Sequence, residues 1–311
     1  MKTTRAQDFK RKFRRPVGMA LCALPLATAA RRLPPGRAKS LSRLALNRRV
    51  SIITVRYDSQ PTEFGFAMSG DTSDLIQRYI YVFGVWEPNL SAWMDENLSE
   101  GEVVLDVGAN VGYFSLLAAK KVGPSGRVIS FEPAPEFVAA VERNARLNAY
   151  TNIDIHPVAA SDAQGEIDLY VAHGSNLGMT TTEEIAGYTS KVTVKCVRVA
   201  DQVDAALWPR IRLVKVDVEG DELRALRGME EILRALSPGA AVATEVAPDR
   251  LAARGQTAEE AMSFMRDLGF IAYAIPNEYV ASHYLQHARS EFAEIAGDLA
   301  EQGDVLFVKK G

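Results

Sequence analysis

The sequence predicts an α/β fold: a mostly parallel, seven-stranded sheet with helices on both faces, preceded by a strand-and-helix cap. Three observations lead there. From residue 101 onward, short β-branched runs alternate with stretches of helical periodicity, and a βαβα order builds parallel sheets covered by helices. One of those strands, Val103–Val107, passes through a glycine turn into a helix start, the kind of corner at which open α/β sheets bind ligands. Several strands also close on an acid: Glu132, Asp217 and Glu245.

Composition sets the outer bounds. With 311 residues, 47% hydrophobic and 24% charged, the chain suits one large domain with appendages. The net charge of −3 conceals an asymmetry. Residues 1–49 carry 14 Lys/Arg and one acid, Asp8, so the remainder carries −16 (−3 minus 13). An acidic body argues against nucleic acid as the main substrate. Cys22 and Cys196 have no metal-ligand spacing and suggest no disulfide framework.

The elements follow in order. Residues 1–49 form a basic segment with an apolar run from Pro16 to Ala30 that is interrupted by Pro25. That run falls short of the roughly 20 apolar residues a membrane-crossing helix needs. A disordered extension, an anchor on anionic lipid, and an export signal (Arg14-Arg15 before the run, Ala27-Thr28-Ala29 after it) all fit the pattern. The reading adopted is a cytoplasmic chain whose basic extension is disordered or touches the membrane surface. Residues 50–98 then form the cap: strands at 50–57 and 64–68 around Ser59-Gln60-Pro61, and helical residues 73–97 broken near Gly84 and Pro88.

The main domain, 99–311, begins with the strand into Val107, followed by helix 111–121, strand 127–132, helix 135–148 with Pro135 at its first turn, and strand 152–156. An antiparallel insertion follows, with strands Glu166–Val171 and Lys191–Val199 joined by a polar loop that contains His173 and lies near the mouth of the site. Strand 211–217, a helix with Leu223, Leu226, Met229 and Leu233 on one face, strand 240–246, helix 257–268, and strands 270–275 and 304–309 complete the sheet. Between the last two, residues 279–299 read as a loop with a helix. The i, i+4 pair His283 and His287 lacks a companion acid and reads as an exposed pair rather than a metal site.

The corner decides which ligand to expect. Gly108 and Gly112 permit close backbone approach, and the exposed amides of the helix start favour an anionic or carboxylate group. A dinucleotide site would show G-x-G-x-x-G. Here the glycines flank Asn110, Asp106 precedes them, and no third glycine follows at the expected offset. Glu132, ending the next strand, can bind two ribose hydroxyls. The D-x-G-x-N-x-G pattern of Asp106, Gly108, Asn110 and Gly112 resembles motif I of class I S-adenosylmethionine-dependent methyltransferases. Asp106 there would suit the cationic amino group of the cofactor's methionine and repel a pyrophosphate. Glu87, in Val85-Trp86-Glu87-Pro88, is a further candidate for the methionine end. Ser161 and Asp162, after the third strand, are candidates for the adenine.

The resemblance is narrower still. Val85-Trp86-Glu87-Pro88, Asp106–Tyr113, Phe131-Glu132-Pro133 and Lys215-Val216-Asp217-Val218-Glu219-Gly220 resemble the successive blocks of the FkbM family of methyltransferases, over about residues 80–275. The resemblance implies a Rossmann-like class I methyltransferase acting on a hydroxyl oxygen of a sugar, glycolipid or other secondary metabolite. It also implies that Asp106, Gly108, Asn110, Gly112, Glu132, Ser161 and Asp162 hold S-adenosylmethionine. Asp217 and Glu219 would lie where methyl and acceptor meet, Asp217 touching both.

Transfer to a hydroxyl needs a base within hydrogen-bond reach, and Asp217, Glu219 and Glu245 are the candidates, ahead of His173. The expectation is that Asp217→Asn loses most turnover while cofactor binding survives. A divalent metal on Asp217 and another acid is a less favoured route to the same end. Two rival classes stand beside this reading: a nicotinamide-dependent oxidoreductase, disfavoured by Asp106 and the missing glycine, and a non-catalytic module that keeps the cofactor pocket and binds a partner.

Overall fold

A computed structural model describes residues 37–172, 180–181, 188–218, 220–286, 288–297, 299 and 301–311. His173, Glu219, His287 and residues 1–36 lie outside the described residues.

The central sheet contains the seven expected strands: β3 (Val103–Val107), β4 (Arg127–Phe131), β5 (Ile153–His156), β10 (Ile211–Val216), β11 (Ala241–Val246), β12 (Phe270–Ile275) and β14 (Gly303–Lys309). Their order is β12-β14-β11-β10-β3-β4-β5, and a two-residue strand β13 (Ala293–Glu294) adds an eighth at the β12 edge. Pairing is parallel from β11 through β10, β3 and β4 to β5. β14 is antiparallel to both its neighbours, β11 and β12, and the short β13 is antiparallel to β12. Chain order reverses between β3 and β10, so the carboxyl ends of those strands open the crevice where open α/β sheets bind ligands.

The strands alternate as a sheet covered on both faces must. Val104 and Leu213 belong to one buried cluster, with helix α4 (Tyr113–Val122), Phe137 and Ala140 of α5 (Pro135–Leu147), and the cap. Val103, Leu105, Val214 and Val242 belong to the other, with α6 (Glu222–Arg227), α7 (Glu230–Ala235), α8 (Pro248–Ala253) and α9 (Ala258–Asp267). α9 starts on a capping box, in which the Thr257 hydroxyl accepts from the Glu260 amide and the Glu260 carboxylate accepts from the Thr257 amide.

The cap differs from expectation in register. Residues 50–57 are not one strand. Helix α1 (Arg37–Val50) occupies the start, and the hairpin is β1 (Arg56–Pro61) with β2 (Ala67–Asp71). The turn falls at Thr62–Gly65, where Gly65 has φ +76°, instead of at Ser59-Gln60-Pro61. Helices α2 (Leu75–Phe83) and α3 (Pro88–Asn97) follow, divided at Gly84. The single helix expected after Asp217 divides into α6 and α7 around Gly228, where a Cβ would stand 1.9 Å from the Ser161 carbonyl oxygen. The insertion is a separate four-stranded sheet, β6 (Ala159–Ala160), β9 (Tyr188–Val197), β7 (Gly165–Ala172) and β8 (Thr180–Thr181) in spatial order.

Candidate functional site

The corner between β3 and α4 is closed by its own amides. Gly108 and Ala109 both donate to the Phe131 carbonyl at 2.9 and 3.1 Å, and Gly112 donates to that of Ala109 at 2.9 Å. Asn110 N–H donates to Glu132 Oε2 at 2.8 Å, and Val111 N–H to Asn110 Oδ1 at 2.7 Å. The expectation that this turn offers free amides to an anion is therefore corrected for residues 108–112. An amide already bound to an internal acceptor is not available to a pyrophosphate.

Two glycines are required here by packing. At Gly108, φ is +83° and a Cβ would lie 1.8 Å from the Asp217 carbonyl oxygen, so β3 and the end of β10 touch backbone to backbone. At Gly112, φ is +87° and a Cβ would press on Val141 of α5 at 3.1 Å. Asn110 and Glu87 also have positive φ, +52° and +40°. Such non-glycine residues persist where the surroundings over-determine them, a pattern common at binding sites.

A cleft of about 350 Å³ opens at this edge of the sheet. Gly108, Asn110 and Glu132 line it on the β3–β4 side, and Glu87, Lys215, Asp217, Glu245 and Asp304 line it from α3, β10, β11 and β14. Ile167 and Leu169 of the inserted sheet also face it, as does Trp86, whose ring stacks on Tyr279 at 5.2 Å. The insertion is thus a wall of the cleft.

Glu132 is 5% exposed, and its two oxygens each take one backbone amide, from Asn110 and from Ala134 at 2.9 Å. Burial outweighs those bonds and pushes its carboxyl up to about 7. Glu87 is raised well above the carboxylate range by burial and then by the nearby Asp304 charge. Asp304 is raised to about 6 by burial, although the Asn277 amide donates to its Oδ2 at 2.7 Å. Lys215 is pushed above its ordinary value because Asp217, Asp106 and Glu87 outweigh the opposing effect of burial. Its ammonium donates to Asp217 Oδ2 at 3.0 Å and sits 4.9 Å from the centre of the Phe114 ring. Glu245 is held by Arg250 at 3.1 Å and by Gln302.

The remaining sequence candidates lie elsewhere. Asp106 does not line the cleft. It is 1% exposed beneath α4, accepts from the Ser115 hydroxyl through Oδ2, and its Oδ1 has no hydrogen-bond partner among the described residues. Burial raises its carboxyl, with Lys215, its register partner on β10, opposing. Ser161 and Asp162 also stand back from the cleft, which their neighbours Ala159 and Ala160 line. Asp162 Oδ1 accepts two bonds from Arg224, at 3.1 and 2.9 Å, and Arg224 holds its carboxyl below the usual range. His283 is 92% buried, contrary to the exposed pair expected from sequence. It sits in a single 3-10 turn, His283–Leu285, so the helix expected there is absent from the described residues. Among the described residues, no three of His, Cys, Asp and Glu are grouped so as to hold a metal ion.

Sequence reasoning missed Asp304 and gave Lys215 no role. Asp304 opens the last strand, and only the antiparallel direction of β14 brings that strand's start to the carboxyl edge of the others. An acid at the head of a terminal strand was the available signal, and it carries no weight until the direction is known.

The chain is 31% identical over 165 residues to the methyltransferase sdnD of Sordaria araneosa, covering 43% of this chain and 63% of that protein. It is 28% identical over 142 residues to the hexuronic acid methyltransferase AglP of Haloferax volcanii, covering 46% and 56%. It is 29% identical over 161 residues to the 31-O-demethyl-FK506 methyltransferase FkbM of Streptomyces tacrolimicus, covering 43% and 62%. The chain thus spans less than two thirds of the length of these relatives. A solved FkbM methyltransferase of Methylobacillus flagellatus aligns with a TM-score of 0.43 at 13% identity, covering 92% of this chain and 58% of that one. The profile of the methyltransferase FkbM domain matches residues 106–272, more than half of the chain, from Asp106 in β3 into β12. This chain belongs to the FkbM family of methyltransferases.

Proposed function

We propose that this chain transfers the methyl group of S-adenosylmethionine to a hydroxyl oxygen of a small molecule, a sugar, glycolipid or other secondary metabolite. The observation that carries the reading is Glu132: a buried carboxylate whose oxygens are each fixed by one backbone amide, at the wall of a cleft whose turn has no free amides between 108 and 112. Such a group suits a vicinal diol, and such a turn does not suit a pyrophosphate. The far wall, with Glu87, Asp217, Glu245 and Asp304 against Lys215, suits a cationic ligand. Relatives named for hexuronic acid and for 31-O-demethyl-FK506 support a sugar or secondary-metabolite acceptor.

In this reading Glu132 holds the ribose, Asn110 and Gly108 shape the floor, and the acidic wall faces the methionine end. Bound there, the cofactor supplies an electrophilic methyl carbon on a cationic sulfur. The protein's own part is alignment and proton removal. The apolar residues Trp86, Ile167 and Leu169 exclude water, and the fixed strand ends hold the acceptor in line. A carboxylate of the acidic wall removes the hydroxyl proton as the oxygen attacks. Asp106, under the floor, acts through the position of α4 and through Lys215. Ser161 and Asp162 shape the adenine side through the Ala159–Ala160 wall.

The basic N-terminal region is proposed to contact anionic membrane from the cytoplasmic side. α1 carries Arg48 and Arg49 in its last turn, with Leu41 and Ile52 exposed beside it, and no helix among the described residues is long and apolar enough to cross a membrane. The deciding experiment incubates the protein with methyl-labelled S-adenosylmethionine and a cell extract, then sorts the label into lipid, glycan and small-molecule pools. Label in a hydroxyl-bearing acceptor is expected. Saturable cofactor binding with no label in any pool would leave a binding module instead.

A further inference from the structure

Three carboxylates stand at the edge where β10, β11 and β14 end or begin, and they are not equivalent. Asp217 is tied to the Lys215 ammonium, and Glu245 to Arg250 and Gln302. Both Glu245 oxygens are thus occupied by donors from the protein, and Asp217 Oδ2 is held by the ammonium. Asp304 lies directly across the ladder from Glu245, a like-charge cross-strand pair that disfavours folding and therefore calls for a reason. The Asn277 amide donates to its Oδ2 at 2.7 Å, its Oδ1 makes no hydrogen bond among the described residues, and the residue lines the cleft.

We propose that Asp304 is the catalytic base of this chain, with Asn277 as the positioning residue that turns its free oxygen toward the acceptor. The inference rests on the methyl-transfer reading above. As the acceptor O–H proton passes to Asp304 Oδ1, the oxygen's electron pair forms the new O–CH3 bond. The S–CH3 bond breaks with its electrons left on sulfur, and the proton later leaves Asp304 to water. The groups facing Asp304 are Glu87 from α3, Lys215 and Asp217 from β10, Glu245 from β11 and Tyr279 after β12. Burial with these acids around it raises the Asp304 carboxyl to about 6, close enough to neutrality for both accepting and releasing a proton.

The test compares Asp304→Asn, Asn277→Ala and the parent protein in two assays: label transfer from methyl-labelled S-adenosylmethionine into cell extract between pH 5 and 8, and calorimetric binding of S-adenosylhomocysteine. For Asp304→Asn, transfer should fall by about 10²–10⁴-fold with product affinity within about threefold of the parent. For the parent, transfer should rise with pH through about 6. In Asn277→Ala, loss of the donor should move that rise to higher pH, a readout that holds even if Asp304→Asn does not fold. Transfer by Asp304→Asn within tenfold of the parent, loss of product binding in step with transfer, or an unmoved profile in Asn277→Ala would each overturn the assignment. A parent that binds the product yet labels nothing refutes the methyl-transfer reading itself, and that failure is visible before any variant is measured.

Discussion

The sharpest prediction concerns Glu132→Gln. Each oxygen of this carboxylate accepts one backbone amide, from Asn110 at 2.8 Å and Ala134 at 2.9 Å, so each keeps one lone pair for a ligand hydroxyl. The glutamine side chain retains one acceptor and turns an NH2 toward the other amide. It therefore loses one charge-assisted bond outright, about 1.5–3 kcal/mol, or about 10–150-fold in affinity. Calorimetry with S-adenosylhomocysteine at pH 8 reads this directly. The parent should also show a pH signature. With the carboxyl pushed up to about 7, affinity should be level above that pH and fall by up to about tenfold per unit below it. In the ligand-free protein, folded Glu132 at about 7 stands above its ordinary 4.5, so its stability contribution is complete below 4.5 and lost as pH rises through 7. That difference corresponds to about 3 kcal/mol. Affinity of Glu132→Gln within threefold of the parent, together with a level parent profile from pH 5 to 8, would refute the assignment of Glu132 to the ligand.

Three other perturbations test the frame around the cleft. Gly108→Ala forces a Cβ to within 1.8 Å of the Asp217 carbonyl oxygen at φ +83°, and denaturant melts should show a loss of more than about 4 kcal/mol or no folded protein. Lys215→Met leaves Asp106 and Asp217 without their shared cation, at a cost of about 3–5 kcal/mol at pH 8 that shrinks in acid as Asp106 takes up a proton; urea melts at pH 8 and pH 5 measure the difference. Thr257→Ala removes one half of the capping box on α9 and should cost about 1 kcal/mol in the same melts with no change in product binding, because α9 lies away from the cleft.

The sequence alone determined what depends on local pattern. The alternation of apolar runs with helical periodicity placed the seven strands, and the glycine turn marked the corner beside the cleft that Glu132 lines, because close backbone approach and positive φ restrict the residue types that fit a turn. What only the tertiary structure decided is direction and depth. β14 runs against its neighbours, which carries Asp304 to the same edge as Glu245 and Asp217. Asp106 and Lys215 are register partners buried beneath α4, so an acid that reads as a ligand contact sits under the floor. Asp162, read as a cofactor contact, is engaged by Arg224 from 62 residues away. The physical reason is common to all three: a side chain's charge becomes chemistry only after the fold fixes its burial and its partner, and both come from segments distant in the chain.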